Sequence, residues 1–352
     1  QIGSLLIFKV FAVCVSGLLV PAYSHYFENK KSWTAGMDIL RAVLMLTLFL
    51  WQNEGIIYFC IFLNSIVLGF YHPSKHLAVQ LLISDNNRNQ FLADNMMWSN
   101  AIGLFAPAVA GTLLLWVNPE ILFLVDSFTF FLSAIFILKL DVWTDAVKSC
   151  QILDRIKSGY SFLLDKPEQR QLLVTRLVLL LALSTLDIFR VKLFTDLANK
   201  TFFDFSVGTG IFGSVTGISM LIASVSIKKW THLTTLESRI RIGLVLISLS
   251  ILAALLIQLR ALPWYILYLV IFCAFFGLAW ARFGVHAIGL KITPTAVFTE
   301  VIASTDAIAR LWQSMVYSFL LIMAGTDFWM LILALIGLLG LGTALKTKEI
   351  ST

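Results

Sequence analysis

The sequence predicts an all-α integral membrane protein, and three observations carry that expectation. Of its 352 residues, 59% are hydrophobic and only 13% charged, against about 25% charged in a soluble domain. The apolar residues fall in long continuous runs, not in the alternating segments of about ten residues that mark a β-barrel. The basic residues between the runs alternate from one side to the other, as they do around spanning helices.

Eleven apolar runs are read along the chain, at about 2–22, 37–51, 55–72, 96–117, 121–140, 172–193, 207–227, 240–259, 264–281, 302–324 and 328–345. Those shorter than the roughly 20 residues of a span are expected to extend into their flanks. Eighteen Lys and Arg residues fall on the connections after odd-numbered runs and in the C-terminal tail. Arg190, Lys192, Lys200 and Arg260 are on the opposite side. The basic side is read as cytoplasmic, C-terminus included. The net charge of +6 belongs to those loops and does not indicate a nucleic-acid surface.

The runs divide as five, a long connection, and six. This gives an N-terminal bundle over 1–140, a cytoplasmic linker over 141–171 and a C-terminal bundle over 172–352. In the linker, Ile152, Leu153, Ile156, Tyr160 and Leu163 recur at helical spacing, which predicts an amphipathic helix at the membrane face. The halves echo each other. "FENKKSW" follows run 1 and "SIKKWTH" follows run 7, while Pro73 and Pro294 follow runs 3 and 9. A symmetric six-plus-six arrangement needs one helix before Gln1, so the sequence reads either as lacking its first helix or as an eleven-span protein.

"HPSKH", residues 72–76, has the H-x3-H spacing of membrane iron enzymes. Such enzymes need many more histidines than the five here, and His25, His232 and His286 are isolated. The stretch reads instead as the end of a helix, punctuated by Pro73. Cys14, Cys60, Cys150 and Cys273 show neither disulfide nor zinc spacing. No metal, cofactor or catalytic centre is expected.

"FYHPSKHLAVQLLISDNNRNQFLADNMMWSNAIGLFAPAVAGTLLL" resembles the fourth-to-fifth-helix region of the exporter branch of the major facilitator superfamily, which includes enterobactin-type siderophore exporters and macrolide efflux proteins. The matching residues are Pro73, Asp85, Arg88, Leu92, Ala93, Asn95, Pro107, Ala108 and Gly111. Asp126, Ser127, Phe128 and Ser133 in "VDSFTFFLSAIFIL" resemble the branch's sixth helix, and Asp38, Arg41 and Ala42 its third. The superfamily's G-x-x-x-D-R-x-x-R-R signature aligns with "PAYSHYFENKK". There Pro21, His25 and Tyr26 stand in place of Gly, Asp and Arg, and the basic end persists as Lys30 and Lys31.

The resemblance implies a major facilitator fold of two pseudo-symmetric six-helix bundles. It implies a monomer in the bacterial inner membrane that exports a siderophore or drug against protons. The eroded signature motivates an alternative, a transport-dead relative acting as a sensor or assembly partner.

A charge at the bilayer centre costs roughly 2.5–3.5 kcal/mol, so such residues face a cavity or a partner. Lys9 sits about 10 Å into its run at 1.5 Å per residue. It either contacts an anionic substrate group or pairs with a neighbouring carboxylate. Asp306 and Arg310 form an i,i+4 pair, read as self-satisfied or as coupling and substrate residues. Asp187 accepts a proton or pairs with Arg190. Asp126 couples protons or is solvated. Asn64 and Asn100 bind substrate or another helix. Lys30, Lys31, Asp38, Arg41, Pro107 and Gly111 are expected in gating and helix packing.

Overall fold

The computed structural model of the protein describes residues 12, 15, 16, 30–113, 116–139, 152–200, 205–230, 234–259, 263–294, 297–324 and 329–346. They form eleven α-helices: α1 (Lys30–Leu50), α2 (Glu54–Leu82), α3 (Asp85–Leu113), α4 (Pro119–Leu138), α5 (Ile152–Asp165), α6 (Pro167–Lys200), α7 (Phe205–Lys229), α8 (Leu236–Gln258), α9 (Leu267–Ile292), α10 (Phe298–Ala324) and α11 (Trp329–Lys346). No strand occurs among the described residues. Seven of these helices, α1, α2, α4 and α6–α9, are long and apolar enough over most of their length to cross a membrane. Run 1, and Lys9 with it, lies outside the described residues except at three positions.

Side-chain chemistry sets the helix ends. Asn53 Oδ1 accepts from the Ile56 N–H at 2.9 Å and opens α2. Thr235 caps α8 in the same way, accepting from Ser238 N at 3.2 Å. Pro119 and Pro167 occupy first helical positions, where a missing N–H costs nothing.

Pro294 stands just past the end of α9, as expected. Pro73 departs from expectation. It does not end a helix, because α2 continues through it to Leu82 and α3 begins at Asp85, leaving a connection of two residues. An interior proline removes one ladder hydrogen bond, yet "KHLAVQLL" after it is made of strong helix formers that carry the helix onward. The polar residues of "HPSKH" and "DNNRNQ" that suggested a loop are therefore on extended helix ends.

The chain forms two compact units. The first comprises 1–84, 108–166 and 293–311; the second comprises 85–107, 167–292 and 312–352. In the first, α1 runs along α4 and α2. Leu44, Met45, Leu48 and Cys60 form a small core with Phe123 and Phe130 against it. Ser16 approaches α2 so closely that a side-chain carbon at Gly69 would overlap it. The short α5 buries Leu163 and fits Gly159 against Glu300 and Ser304 of α10. The outer face of α4 shows Val125, Phe128, Phe131 and Phe136, a surface suited to lipid.

In the second unit α8 lies against α9 and α11, and α9 also against α7 and α6. Small residues allow the close approach. Gly243 on α8 and Gly277 on α9 face each other backbone to backbone. A methyl group on Gly277 would lie 2.6 Å from the Gly243 carbonyl oxygen and 2.8 Å from Leu246 Cβ. Gly277→Leu is therefore expected to destabilise the protein by about 3 kcal/mol or more, the upper end for overpacking, because backbone has to move. Thermal unfolding in detergent checks this; an unchanged melting temperature would contradict the described α8–α9 seam.

Candidate functional site

In a helical membrane protein the informative residues are polar groups on apolar helices. The first unit gathers several around Arg41. Asp38 and Arg41 lie one turn apart on α1, with Arg41 Nη1 3.6 Å from Asp38 Oδ1. Asp38 is 1% exposed, and Ser133 Oγ on α4 donates to its Oδ2 at 2.6 Å. Arg41 Nε donates to Asn64 Oδ1 on α2 at 3.2 Å. Its guanidinium carbon stands 3.9 Å from the Phe130 ring centre and 5.7 Å from that of Tyr71. Asp126, exposed on α4, is within electrostatic reach of the same cation. Ser127 Oγ donates to the Ala42 carbonyl at 2.7 Å. The structure thus brings Asp38, Arg41, Asn64 and Asp126 into one cluster. A guanidinium held by a carboxylate, an amide and two rings is a fixed cation with little freedom to leave.

The second unit holds a carboxylate of a different kind. Asp187 lies on α6, about 30 Å from its first residue at 1.5 Å per residue. Tyr317 on α10 donates its hydroxyl to Asp187 Oδ2 at 2.9 Å. One turn earlier on α10, Trp312 Nε1 donates to the Leu177 carbonyl at 3.0 Å. Two side-chain hydrogen bonds therefore pin this part of α10 to α6.

Asn100 on α3 donates to Ser224 Oγ at 2.8 Å and to the Met220 carbonyl at 3.3 Å, both on α7. Asp94 and Lys228 join the same two helices at 2.7 Å. That pair is partly exposed, so Lys228→Gln is expected to cost less than about 1 kcal/mol. A loss several times larger in thermal unfolding would show the pair to be desolvated.

The other expected residues are dispersed. Arg310 is exposed and Asp306 half-buried, one turn apart on α10. Lys30 and Lys31 begin α1. The helical backbone of α3 runs through Pro107 and Gly111.

Sequence reasoning missed Tyr317, Ser224 and Arg239. Tyr317 and Ser224 carry no local signal, since each is singled out by a partner more than 100 residues away in the chain. Arg239 counts as a loop charge in the sequence but is 1% exposed. It donates from Nε to Thr234 Oγ1 at 2.9 Å and from Nη2 to the Trp230 carbonyl at 3.3 Å. No group of three or more His, Cys, Asp or Glu side chains suited to a metal occurs among the described residues.

Long apolar helices that carry buried ionic clusters and connect through short turns mark a multi-pass membrane protein. The comparisons make the class specific. Residues 1–315 match the family model described as the Major Facilitator Superfamily. The chain belongs to that superfamily, and it is a secondary transporter, not an enzyme. It is similar in fold to a bacterial homologue of the iron transporter ferroportin in an outward-facing state, with TM-score 0.75 and 14% identity over 98% of this chain and 90% of that one. The human organic anion transporter MFSD10 gives TM-score 0.75 and 12% identity over 99% and 83%. The proton:xylose symporter XylE gives 0.65 and 12% over 97% and 84%. Identities this low establish a shared fold only. No curated protein matches the sequence significantly.

Proposed function

We propose that this protein is a proton-coupled exporter of a small amphipathic organic molecule, a siderophore or a drug, working by alternating access. It would act as a monomer in the bacterial inner membrane with its C-terminus in the cytoplasm. The observation that carries the coupling is Asp187, a carboxylate on a long apolar helix that accepts a hydrogen bond from the Tyr317 hydroxyl. Antiport needs a group that takes either a proton or a substrate donor, but not both. A carboxylate, which only accepts hydrogen bonds when ionised and gains a donor when it takes a proton, meets that requirement.

Asp126 and Asp306 are secondary candidates for proton binding. Lys9, Asn64, Asn100 and Arg310 are the residues proposed to contact substrate. Lys30, Lys31, Asp38, Arg41, Pro107 and Gly111 would serve gating and helix packing. The outward direction rests on the resemblance of "APAVAG" in α3 to the exporter branch.

Purified protein in proteoliposomes, with an imposed proton gradient and a panel of catecholate siderophores, macrolides and lipophilic dyes, tests the proposal. At least one compound should accumulate against its own concentration gradient only when the proton gradient is present, moving opposite to proton flow. No gradient-driven accumulation of any compound in the panel would remove the coupled-exporter reading.

A further inference from the structure

The second unit contains a cavity of about 230 Å³ lined by Arg88 and Asn89 of α3, Leu236 of α8, and Ala287 and Lys291 of α9. We propose that it binds a phosphate oxyanion, held by Arg88, Asn89 and Lys291. The site is separate from the Asp187 and Arg41 clusters and does not depend on the transport proposal.

The lining supplies what such an anion requires. Arg88 offers a planar fork that matches two phosphate oxygens, Lys291 a compact charge and Asn89 an amide donor. Among the described residues no carboxylate lines the cavity; Glu237, next to Leu236 in the chain, is not part of the wall. A water takes about 30 Å³ in the liquid, so the cavity accommodates a tetrahedral oxyanion and its immediate substituents.

A further cation lies close by. Leu236 and Arg239 are one turn apart on α8, as Phe283 and Ala287 are on α9. The Arg239 guanidinium stands 5.2 Å from the Phe283 ring. It is therefore about one turn from two of the lining residues. Its Nη1 is buried without a hydrogen-bond partner among the described residues, and a buried unpaired donor on a cation raises the local positive potential. Arg88 and Asn89 sit in the opening turns of α3, and Leu236 opens α8. Backbone dipoles at those ends add to the same field, opposed in part by the C-terminal end of α9 at Lys291.

Two sources supply this chemistry: the headgroup of an anionic phospholipid, and a soluble phosphate ester. The apolar walls, Leu236 and Ala287, suit the glycerol end of a lipid. The charge distribution also assigns this end of the helices to the cytoplasmic leaflet, where anionic lipids attract basic groups.

Native mass spectrometry of the full chain in detergent tests the site, with phosphatidylglycerol, phosphatidylcholine, glycerol 3-phosphate and inorganic phosphate as probes. Preferential retention of phosphatidylglycerol over phosphatidylcholine, reduced about thirty-fold in Arg88→Gln/Lys291→Gln, supports the site with a lipid occupant. Saturable binding of glycerol 3-phosphate or inorganic phosphate, lost in the same variant without a phosphatidylglycerol preference, supports it with a soluble one. Lys75→Gln/Arg170→Gln removes two exposed charges that do not line the cavity and should change retention less than about twofold. Arg88→Lys/Lys291→Arg should keep most of the binding, which separates charge loss from misfolding. Equal retention of all probes by wild type and Arg88→Gln/Lys291→Gln, or an equal loss in the control pair, overturns the assignment.

Discussion

Asp187→Asn is expected to abolish gradient-driven transport while leaving substrate exchange in place. The substitution keeps the size of the side chain and an oxygen that accepts from the Tyr317 hydroxyl, now 2.9 Å away. It removes the negative charge and, with it, the capacity to take up a proton. Flux driven by an imposed proton gradient should fall by an order of magnitude or more, to the level of empty vesicles. Counterflow, in which labelled substrate exchanges against unlabelled with no gradient, should continue at a similar rate. Tyr317→Phe serves as the comparison. It deletes one hydrogen bond, worth about 1 kcal/mol, and should lower stability modestly while coupling survives. If Asp187→Asn loses exchange and driven flux equally, Asp187 binds substrate or holds the fold. If it loses neither, coupling resides elsewhere, with Asp126 and Asp306 the next to be replaced.

The second large effect is structural. Arg41→Met should destabilise the protein by about 3–5 kcal/mol, the cost of removing one partner from a buried ionic pair. The reason is Asp38, which is 1% exposed and would keep the Ser133 hydroxyl but lose its cation. Asn64 would lose the Arg41 donor too, and Phe130 its cation contact. Arg41→Met combined with Asp38→Leu should cost clearly less than the single change, since the stranded charge goes with its partner. Thermal or denaturant unfolding in detergent reads both variants. A single variant as stable as the wild type would mean that the cluster is solvated and not a fixed element of α1, α2 and α4.

What the sequence disclosed, and what it did not, follows from the range of the forces involved. Apolar runs and alternating basic connections reflect the cost of placing each segment in lipid, which is local to the segment, so α1 to α11 other than the linker helix α5 each coincide with a run. Helix ends depend on finer balances. Pro294 ends α9, but Pro73 is carried through α2 because strong helix formers follow it. Polarity alone does not distinguish a loop from a helix that emerges from the bilayer.

Clusters are legible only in part. Asp38 and Arg41 announce themselves as charges one turn apart. Ser133, 95 residues beyond Asp38, becomes its partner only once α4 is laid against α1. Asn64 and Asn100 stood out as polar groups on apolar helices, and each engages another helix in the structure. Arg239 shows the reverse case. Its charge reads as one of the basic connections, while its burial against Phe283 arises from the α8–α9 seam that Gly243 and Gly277 permit. Neither glycine is distinctive in the sequence.

The coupling proposal is tested most directly by reversing the driving force. Proteoliposomes carrying an internal pH-sensitive dye, with no imposed proton gradient, receive a concentration gradient of a compound found active in the panel. The account predicts that substrate flow drives protons the opposite way, so the internal pH changes when substrate is added and stays constant with Asp187→Asn. Substrate movement with no change in internal pH, or protons travelling with the substrate, would contradict it.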